Sequence, residues 1–509
     1  MVFLPFFGDF DLERRGDGMG FICHHGAIAQ CLCPSFVSPE NVNTHWQFSV
    51  SIAGIGKIFS RPAVSHGWRQ EMSIELIALS MFTLFIVLMV AGLPIVFCLG
   101  SVSILFAYFF WGPSALALVS TNLYGFTSDF ILLAIPLFVF MATMLQHSGV
   151  AENLYEAMYK WFGPVKGGLA MGTVAICAVI AAMSGLSAAG TLSTGIVSIP
   201  AMLKRKYDKS IAIGSVAAGG ALGVLIPPSV PMVVYSFLTS VSIGRMFLGG
   251  VLPGLMLTLF YILYIGIRSY LSKDLCPALP PEERASWGEK LKSTKLVILP
   301  VLLIVAVLGS IFRGMATPTE AAAIGAFGSI ICAIINRKLS WEVLRNSAYV
   351  TLKLTAMLMW IMAAATVFNA VFTGLGAGQL VTETLNKFKL SPWVIIIVMQ
   401  LTLLFLGMIM DPNGIMMITV PIYVPIITLL GFDPVWFGIL FIMNMEIAYL
   451  SPPFGWNIFY LKSIVPKEIT LLDIYRSIIL FVVLQLIGLV IVMVFPRLTL
   501  MLPNMIMGQ

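Results

Sequence analysis

Apolar runs long enough to cross a membrane recur from residue 74 to residue 495, with short polar stretches between them. The hydrocarbon core of a bilayer is about 30 Å thick, and roughly 20 apolar residues in a helix cross it. The pattern therefore predicts an all-α polytopic membrane protein. The predicted long helices lie at 74–92, 94–111, 128–147, 246–271, 296–312, 318–335, 347–372 and 474–495, and amphipathic segments at 149–162 and 373–390.

Each half of the chain also contains apolar segments that are interrupted near their middle. Two short helices around a polar tip predict a re-entrant hairpin, and a helix with a proline pair in its middle predicts a discontinuous helix. The predicted hairpins are 166–203 and 391–430, with tips at 184–190 and 410–414, and the predicted broken helices are 210–240 and 434–462, with breaks at 225–229 and 450–454.

These interruptions coincide when the chain is displaced along itself so that position 200 meets position 425. Equivalent breaks in two halves of a membrane protein indicate the binding site of a secondary transporter built from inverted structural repeats. The coinciding pairs are Pro200 with Pro425, Asp208 with Asp433, Pro227-Pro228 with Pro452-Pro453, and Tyr235 with Tyr460. The predicted segments are a first repeat at 72–271, a cytoplasmic linker at 272–295, a second repeat at 296–501 and a C-terminal tail at 502–509.

Composition supports a membrane protein and sets the segment 1–71 apart from the rest. Hydrophobic residues make up 59% of the 509, charged residues 10%, and the mean hydropathy is +0.98, whereas soluble domains are about 25% charged. The segment 1–71 holds four of the five histidines and three of the seven cysteines, in a spacing that fits no standard zinc site. We expect this segment to be a non-membrane extension, either disordered or upstream of a true start at Met72.

The basic residues are distributed unequally between the two predicted sides of the membrane. With both hairpins re-entrant, 18 Lys and Arg residues lie on the side where the first hairpin opens and five on the other. The positive-inside rule makes the first side cytoplasmic and gives the halves opposite orientations. The excess of positive charge thus reflects topology and does not indicate nucleic-acid binding. The five residues are Arg245, Arg313, Lys387, Lys389 and Arg497.

The first tip and the first break carry the residue types of a cation site. A proline pair lacks N–H donors and displaces carbonyls of the preceding turn, and such carbonyls are suitable ligands for an alkali cation. The exposed N-termini of half-helices suit an anion. The structural alternative is a pair of proline kinks whose carbonyls are capped by serine. The predicted cation ligands here are Ser184, Gly185, Ile226 and Pro227, and Ser187 and Ser229 are predicted to contact substrate together with Ser184.

The second tip adds Asp411, a carboxylate in an otherwise uncharged apolar run. Burying a carboxylate at this depth in the membrane costs free energy, so such a residue is usually paired or functional. It predicts a second cation site, with protonation of Asp411 as the competing idea. Glu446, two residues from Asn444 on one helix, is expected to point to another face. The predicted ligands are Asp411, Asn444, Leu450 and Ser451, and Asp411 and Asn413 are predicted to contact substrate.

Several motifs in both halves resemble the large membrane subunit, of the DctM type, of tripartite ATP-independent periplasmic (TRAP) transporters. The resemblance implies an elevator-type fold, a sodium gradient as energy source, a periplasmic substrate-binding protein and a small four-helix membrane subunit. Ala448, Ser451 and Leu186 depart from the family's usual residues and leave the ligand set open. The motifs are Ser184-Gly185-Leu186-Ser187, Leu225-Ile226-Pro227-Pro228-Ser229, Thr317-Pro318-Thr319-Glu320, Met410-Asp411, and the segment from Asn444 to Gly455.

The sequence thus predicts a sodium-coupled importer of an organic acid in the bacterial inner membrane, with Na⁺ carried at two sites and lipid around the helices. The main alternative is a one-component sodium- or proton-coupled carboxylate transporter of related fold. An enzyme is not expected because the chain lacks paired acid–base residues. The sequence does not distinguish a dicarboxylate from a sugar acid or an aromatic acid.

Overall fold

The computed structural model describes residues 73–272, 275–376, 391–453 and 455–508. Within these ranges every regular element is helical, and 19 of the elements are α-helices. The all-α prediction is confirmed. The predicted extension at 1–71 and most of the predicted link at 373–390 lie outside the described residues.

Ten α-helices precede the polar linker. At three of their N-termini a side chain accepts backbone hydrogen bonds, as Asp208 does from the N–H groups of Ser210 and Ile211. The helices are α1 (Ile74–Val90), α2 (Ile95–Trp111), α3 (Leu116–Thr127), α4 (Ala134–His147), α5 (Val150–Phe162), α6 (Gly168–Ser184), α7 (Ser187–Lys204), α8 (Lys209–Ala221), α9 (Val230–Thr239) and α10 (Ile243–Leu271).

Nine described α-helices follow the linker. Three of them begin with a capping box, in which the N-cap hydroxyl accepts a hydrogen bond from the N–H of the third helical residue and the acidic side chain of that residue accepts one from the N-cap N–H. The helices are α11 (Trp287–Phe312), α12 (Pro318–Ile335), α13 (Trp341–Gly374), α14 (Pro392–Gly407), α15 (Pro412–Leu429), α16 (Pro434–Leu450), α17 (Trp456–Ile464), α18 (Leu471–Val494) and α19 (Arg497–Met507).

The described helices are those of a multi-pass membrane protein. Six are long and apolar enough to cross a bilayer, and a seventh qualifies if the bent α11 counts as one span. Many large apolar side chains on them, such as Leu79, Phe109 and Phe405, are exposed on the outside of the bundle. Such apolar faces are suited to contact with the hydrocarbon core of a bilayer. The shorter apolar helices include α6, α8, α9, α14 and α16.

The helix boundaries repeat at the spacing found in the sequence, which is 425 minus 200, or 225. Adding 225 to the bounds of α7, 187 and 204, gives 412 and 429, which are the bounds of α15. The same addition moves the start of α8, 209, to 434, where α16 begins, and the end of α9, 239, to 464, where α17 ends. Both proline pairs lie between helices, and both are joined by a cis peptide bond. The two halves therefore share one helical plan in this region.

The half-helices after the two breaks pack in a reciprocal way. Helix α9 of the first half lies against α15 and α16 of the second, and α17 of the second half lies against α7 and α8 of the first. Tyr235 on α9 donates a hydrogen bond of 2.8 Å to the carbonyl of Pro434. On the other side, Gly195 of α7 leaves room for Ile464, whose Cδ1 would lie 2.4 Å from an added Cβ. Each half thus closes around the broken helix of the other.

Some elements differ from those predicted. Helix α3 occupies residues between two predicted spans, where polar side chains such as Asn122 interrupt the apolar pattern. Helix α11 begins eight residues before the end of the predicted linker, since Ser286 caps it. The predicted tail at 502–509 continues α19 as far as Met507. Apolar periodicity alone did not reveal these elements.

The linker between the halves lies across the opening of the first hairpin. Leu279 N–H donates to the Gly163 carbonyl at 2.9 Å, and Asp208 N–H donates to the Leu275 carbonyl at 2.8 Å. Arg205, at the end of α7, pairs with Glu283 of the linker. These contacts hold the ends of α5, α7 and α8 together on one side of the bundle.

Candidate functional site

The first tip is a tight turn between α6 and α7. Gly185 caps α6 at φ +60°, a left-handed conformation that glycine adopts at little cost. The side chains of Ser184 and Ser187 flank the turn, and each residue is only 3% exposed. Ser184 Oγ lies 3.3 Å from the Leu186 carbonyl oxygen, a local contact within the turn. The tip thus buries two hydroxyl groups between two helix ends.

The first tip contacts the first break directly. Val230 N–H, just after the break, donates to the Gly185 carbonyl at 3.4 Å. A Cβ atom added to Gly185 would lie 2.4 Å from the carbonyl oxygen of Pro228. The structure therefore brings the predicted residues Ser184 and Gly185 of the tip next to the proline pair.

The first break is an interruption of the helical hydrogen-bond ladder. Ile226 N–H still donates to the Leu222 carbonyl at 2.9 Å, but Pro227-Pro228 offers no further donor. Ser229 Oγ donates to the Val224 carbonyl at 2.5 Å and so satisfies one group that the break leaves free. The serine cap that formed the structural alternative is thus present at one carbonyl of the break.

Ser187 is bonded to the other half of the chain. Its Oγ donates a hydrogen bond of 2.6 Å to Oδ1 of Asn457, on α17 just after the second break. Nδ2 of Asn457 donates in turn to the Ala217 carbonyl of α8, at 3.1 Å. Asn457 is fully buried. This side chain therefore ties the first hairpin to the first broken helix from within the second half.

At the second tip, Asp411 is the N-cap of α15. Its Oδ2 accepts hydrogen bonds of 3.1 Å from the N–H groups of Asn413 and Gly414. A carboxylate at this position also interacts favourably with the positive end of the helix dipole. Asp411 and Asn413 are half-buried, whereas Gly414 is buried. The capping bonds use only one carboxylate oxygen, Oδ2.

The second break resembles the first in its hydrogen bonding. Helix α16 ends at the buried Leu450, and Ser451 Oγ donates to the Ile447 carbonyl at 2.9 Å. Just before the break, Ala448 lies against Gly407 at the end of α14, where an added Cβ would stand 2.6 Å from the Ala448 methyl carbon. The first arm of the second hairpin thus meets the second broken helix at this pair.

Asn444 is directed to α14. Its Nδ2 donates to both the main-chain and the side-chain oxygen of Gln400, at 2.9 and 3.0 Å. Its Oδ1 is buried and has no hydrogen-bond partner among the described residues. Asn444 and Asp411 therefore bond to different partners, and Oδ1 of Asn444 remains without a hydrogen bond to the described residues.

Glu446 faces other helices. It is fully buried, and its Oε1 accepts a hydrogen bond of 3.1 Å from Nε2 of Gln485 on α18. Tyr261 of α10 lies beside the same carboxyl group. Glu446 thus belongs to a polar cluster on the face of α16 that packs against α10 and α18. Asn444 lies on the face that contacts α14.

The potential ligand atoms around the tips are hard oxygens, and only the carboxylate of Asp411 among them is charged. Among the described residues, the ion pairs within 4.0 Å are Lys160–Glu156, Arg205–Glu283 and Arg245–Asp433, all away from the tips. The same part of the chain has no group of three or more His, Cys, Asp or Glu side chains that could hold a metal ion. Hydroxyls, carbonyls and a single carboxylate fit an alkali cation better than a transition metal.

A narrow crevice lies beside the first tip, between α4, α6 and α7. Ser184 lines it together with Gln146 and Ser193. The remaining lining residues are apolar.

Three amides at these sites were missed in the sequence: Asn457, Gln400 and Gln485. Each is an uncharged amide within a predicted apolar segment, and each takes part in a buried hydrogen bond with another helix. Polar side chains within membrane helices generally pair across helices. Gln400 and Gln485 lie inside apolar runs, where a search for isolated amides would have found them, whereas Asn457 lies at a helix start.

Comparison with known proteins identifies the family of the chain. The sequence model of the family described as "Tripartite ATP-independent periplasmic transporter, DctM component" matches residues 82–498. The chain is 36% identical over 452 residues to the C4-dicarboxylate TRAP transporter large permease protein DctM of Vibrio cholerae, covering 84% of this chain and 98% of that protein. It is 30% identical over 428 residues to the sialic acid TRAP transporter large permease protein SiaM of the same species, covering 83% and 97%.

Among solved structures, the chain is similar to the YdaH transporter of Alcanivorax borkumensis. The TM-score is 0.54 at 16% identity, with 75% of this chain and 89% of that chain covered, which shows likeness of fold alone. The relatives in sequence are transporter permease subunits and not enzymes. On the family match and the identity to its members, this chain belongs to the DctM family, the large permease subunits of TRAP transporters.

Proposed function

We propose that this protein is the transmembrane subunit that carries an organic acid across the bacterial inner membrane in a sodium-coupled, binding-protein-dependent importer. The observation that carries the proposal is that each half contains a hairpin packed against a broken helix of the same half. At the first pair Gly185 lies against Pro228, and at the second Gly407 lies against Ala448. Two such meeting points, one in each half of the chain, are what a symmetric carrier requires.

The oxygen donors at the first pair support a sodium site. The break frees carbonyls near Ile226 and Pro227, and the tip brings Ser184, Gly185 and Ser187 to the same place. Ser229 satisfies only the Val224 carbonyl. These neutral oxygens would replace part of the hydration shell of Na⁺ without adding a fixed charge.

A second sodium ion is proposed at the second pair. Asp411 caps α15 through Oδ2, and its Oδ1 takes no part in these two bonds. Leu450 is the last residue of α16 and Ser451 is its C-cap, and both lie close in sequence to Ala448. Oδ1 of Asn444 has no hydrogen-bond partner among the described residues. A carboxylate in this membrane-embedded region is stabilised by a bound cation, which gives Na⁺ binding a favourable electrostatic term.

An organic acid is proposed as the substrate because relatives are named for C4-dicarboxylates and for sialic acid, which both carry carboxylates. The N-terminus of α7, with Ser187 at its first position, offers N–H groups and a positive dipole end to an anion. Substrate would contact Ser184, Ser187 and Ser229 from the first half and Asp411 and Asn413 from the second.

We propose further that the two hairpins and the two broken helices move together as an elevator. The reciprocal packing of α9 and α17 supports this idea, because it joins the moving elements of both halves into one unit. A periplasmic binding protein would deliver the substrate, and a small four-helix subunit would complete the stationary part in the membrane. A one-component carboxylate transporter is the alternative, and it would need neither partner.

Reconstitution into proteoliposomes tests the proposal. The chain is incorporated with and without its cognate small subunit, a sodium gradient is imposed, and uptake of radiolabelled organic acids is measured with the cognate binding protein outside. We expect uptake only when the gradient, the binding protein and the small subunit are all present. Uptake by the chain alone would support the one-component alternative, and uptake driven by a proton gradient without sodium would refute sodium coupling.

A further inference from the structure

Asn457 occupies a position from which it controls one hydroxyl group of the first tip. Its side chain is fully buried and makes two hydrogen bonds, accepting one from Ser187 Oγ at 2.6 Å and donating one to the Ala217 carbonyl at 3.1 Å. The three residues lie on α17, α7 and α8. Both bonds therefore link the second half of the chain to the first.

The directions of these two bonds follow from chemistry. The Ala217 carbonyl can only accept, so the amide nitrogen of Asn457 must face it. The amide oxygen then faces Ser187, and an amide oxygen can only accept as well. The single hydroxyl hydrogen of Ser187 is thus committed to Asn457, and the oxygen presents only lone pairs to the rest of its surroundings.

We propose that Asn457 is a positioning residue that sets Ser187 Oγ as a pure acceptor toward the cation at the first tip. The inference rests on the proposed sodium coupling and adds a residue from the second half to the first cation site. A serine hydroxyl without such a partner can rotate and point its hydrogen at the cation position. Asn457 prevents that rotation, so the oxygen meets Na⁺ in its binding orientation.

The link also joins the two sites. Asn457 is the second residue of α17, which begins directly after the second break. A shift of α17 caused by occupancy at the second break would therefore move the acceptor of Ser187. Such a shift would communicate sodium binding in one half to a ligand in the other half.

The experiment measures sodium binding to the purified chain in detergent through the rise in unfolding temperature with sodium concentration, and sodium-dependent uptake in parallel. We expect Asn457→Leu to raise the half-saturating sodium concentration about tenfold, which corresponds to about 1.4 kcal/mol. The maximal uptake rate at saturating sodium should change little. If Asn457→Leu does not fold, Asn457→Ala serves in its place.

A double-mutant cycle separates positioning from a general structural role. In a Ser187→Ala background, Asn457→Leu should have no further effect on the half-saturating sodium concentration, because the group through which it acts is gone. Asn336→Leu, which removes a half-buried amide bonded to the Ser148 carbonyl at 3.3 Å, is the matched control and should leave sodium binding unchanged.

Two results would overturn the inference, and they are distinguishable. If sodium stabilises the wild type but Asn457→Leu binds it equally well, or if the effects of Asn457→Leu and Ser187→Ala are additive, Asn457 does not position Ser187. If sodium fails to stabilise even the wild type, the proposed sodium coupling is itself wrong and the inference falls with it.

Discussion

The Cα of Gly185 lies against the carbonyl of Pro228, so closely that an added Cβ would stand 2.4 Å from the carbonyl oxygen and 3.2 Å from the carbonyl carbon. The two residues belong to the first hairpin tip and the first helix break. Their contact places the carbonyls of the break beside the hydroxyls of the tip. No other residue type would allow this approach.

Replacing Gly185 by alanine should abolish sodium-driven uptake. The left-handed conformation at φ +60° costs a non-glycine residue roughly 1–2 kcal/mol, and the clash with Pro228 adds to this because the opposing carbonyl belongs to the backbone. The tip would have to move away from the break. Uptake in proteoliposomes and the sodium dependence of the unfolding temperature measure the effect.

Gly314 provides a matched control for this substitution. It has nearly the same backbone conformation, at φ +67°, but nothing lies within 4 Å of an added Cβ. Gly314→Ala should therefore carry the conformational cost alone and retain sodium-driven uptake. Equal losses in the two variants would mean that backbone strain, and not the contact with Pro228, explains the effect at Gly185.

Asp411→Asn should reduce sodium-driven uptake to background while leaving the fold intact. An asparagine oxygen can still accept the N–H groups of Asn413 and Gly414, so the cap of α15 is preserved. The negative charge that would balance a bound cation is lost. Asp411→Ala should lose uptake as well and in addition about 1 kcal/mol of stability, since the cap is removed.

Asp208 offers the corresponding control, because it caps α8 through the N–H groups of Ser210 and Ile211. We expect Asp208→Asn to keep both stability and sodium-driven uptake. Uptake at the wild-type rate in Asp411→Asn would reduce Asp411 to a helix cap and remove the second cation site from the mechanism.

The repeated plan was accessible from sequence because its markers are local. Proline pairs interrupt a helix wherever they occur, and aspartates such as Asp208 and Asp433 cap the helix that follows them. Both signals depend on a few neighbouring residues. Finding the repeat then needed only a comparison of the chain with itself, and the bounds of α7 and α15 follow the same displacement.

The contacts between the halves could not be predicted from the sequence in this way. Ser187 and Asn457 are separated by 270 positions, and nothing local distinguishes Asn457 from a solvated amide at a helix start. Asn444 was assigned to the second tip, yet its amide group bonds to Gln400. Which side chain an amide meets depends on the rotation of each helix within the bundle, and apolar residues on all sides of a helix leave that rotation undefined.

Glu446 should contribute to stability and not to sodium binding. Removing its side chain in Glu446→Leu leaves the buried N–H of Gln485 without its acceptor, which costs roughly 1–3 kcal/mol. Glu446→Gln retains an oxygen for that bond and should unfold near the wild-type temperature. The unfolding temperature in detergent, with and without sodium, checks both expectations.

The sodium dependence decides the role of Glu446. Its carboxyl group faces Gln485 and Tyr261 on α18 and α10, and the first and second tips lie on other helices. Both variants, once folded, should therefore require the same sodium concentration for half-maximal stabilisation as the wild type. A large increase in that concentration for Glu446→Gln would instead identify the carboxylate as part of a cation site.

The second hairpin should still pack on the second broken helix when the methyl group of Ala448 is moved to position 407. Gly407→Ala alone would bring its Cβ to 2.6 Å from the methyl carbon of Ala448, closer than real Cβ contacts come. We expect this variant to lose sodium-driven uptake and part of its thermal stability, because close packing leaves α14 and α16 no room to accommodate the methyl group. Adding Ala448→Gly to Gly407→Ala removes the opposing methyl and should restore both properties to a large extent. If the double variant is no better than Gly407→Ala, the close approach of these two helices is not what Gly407 provides.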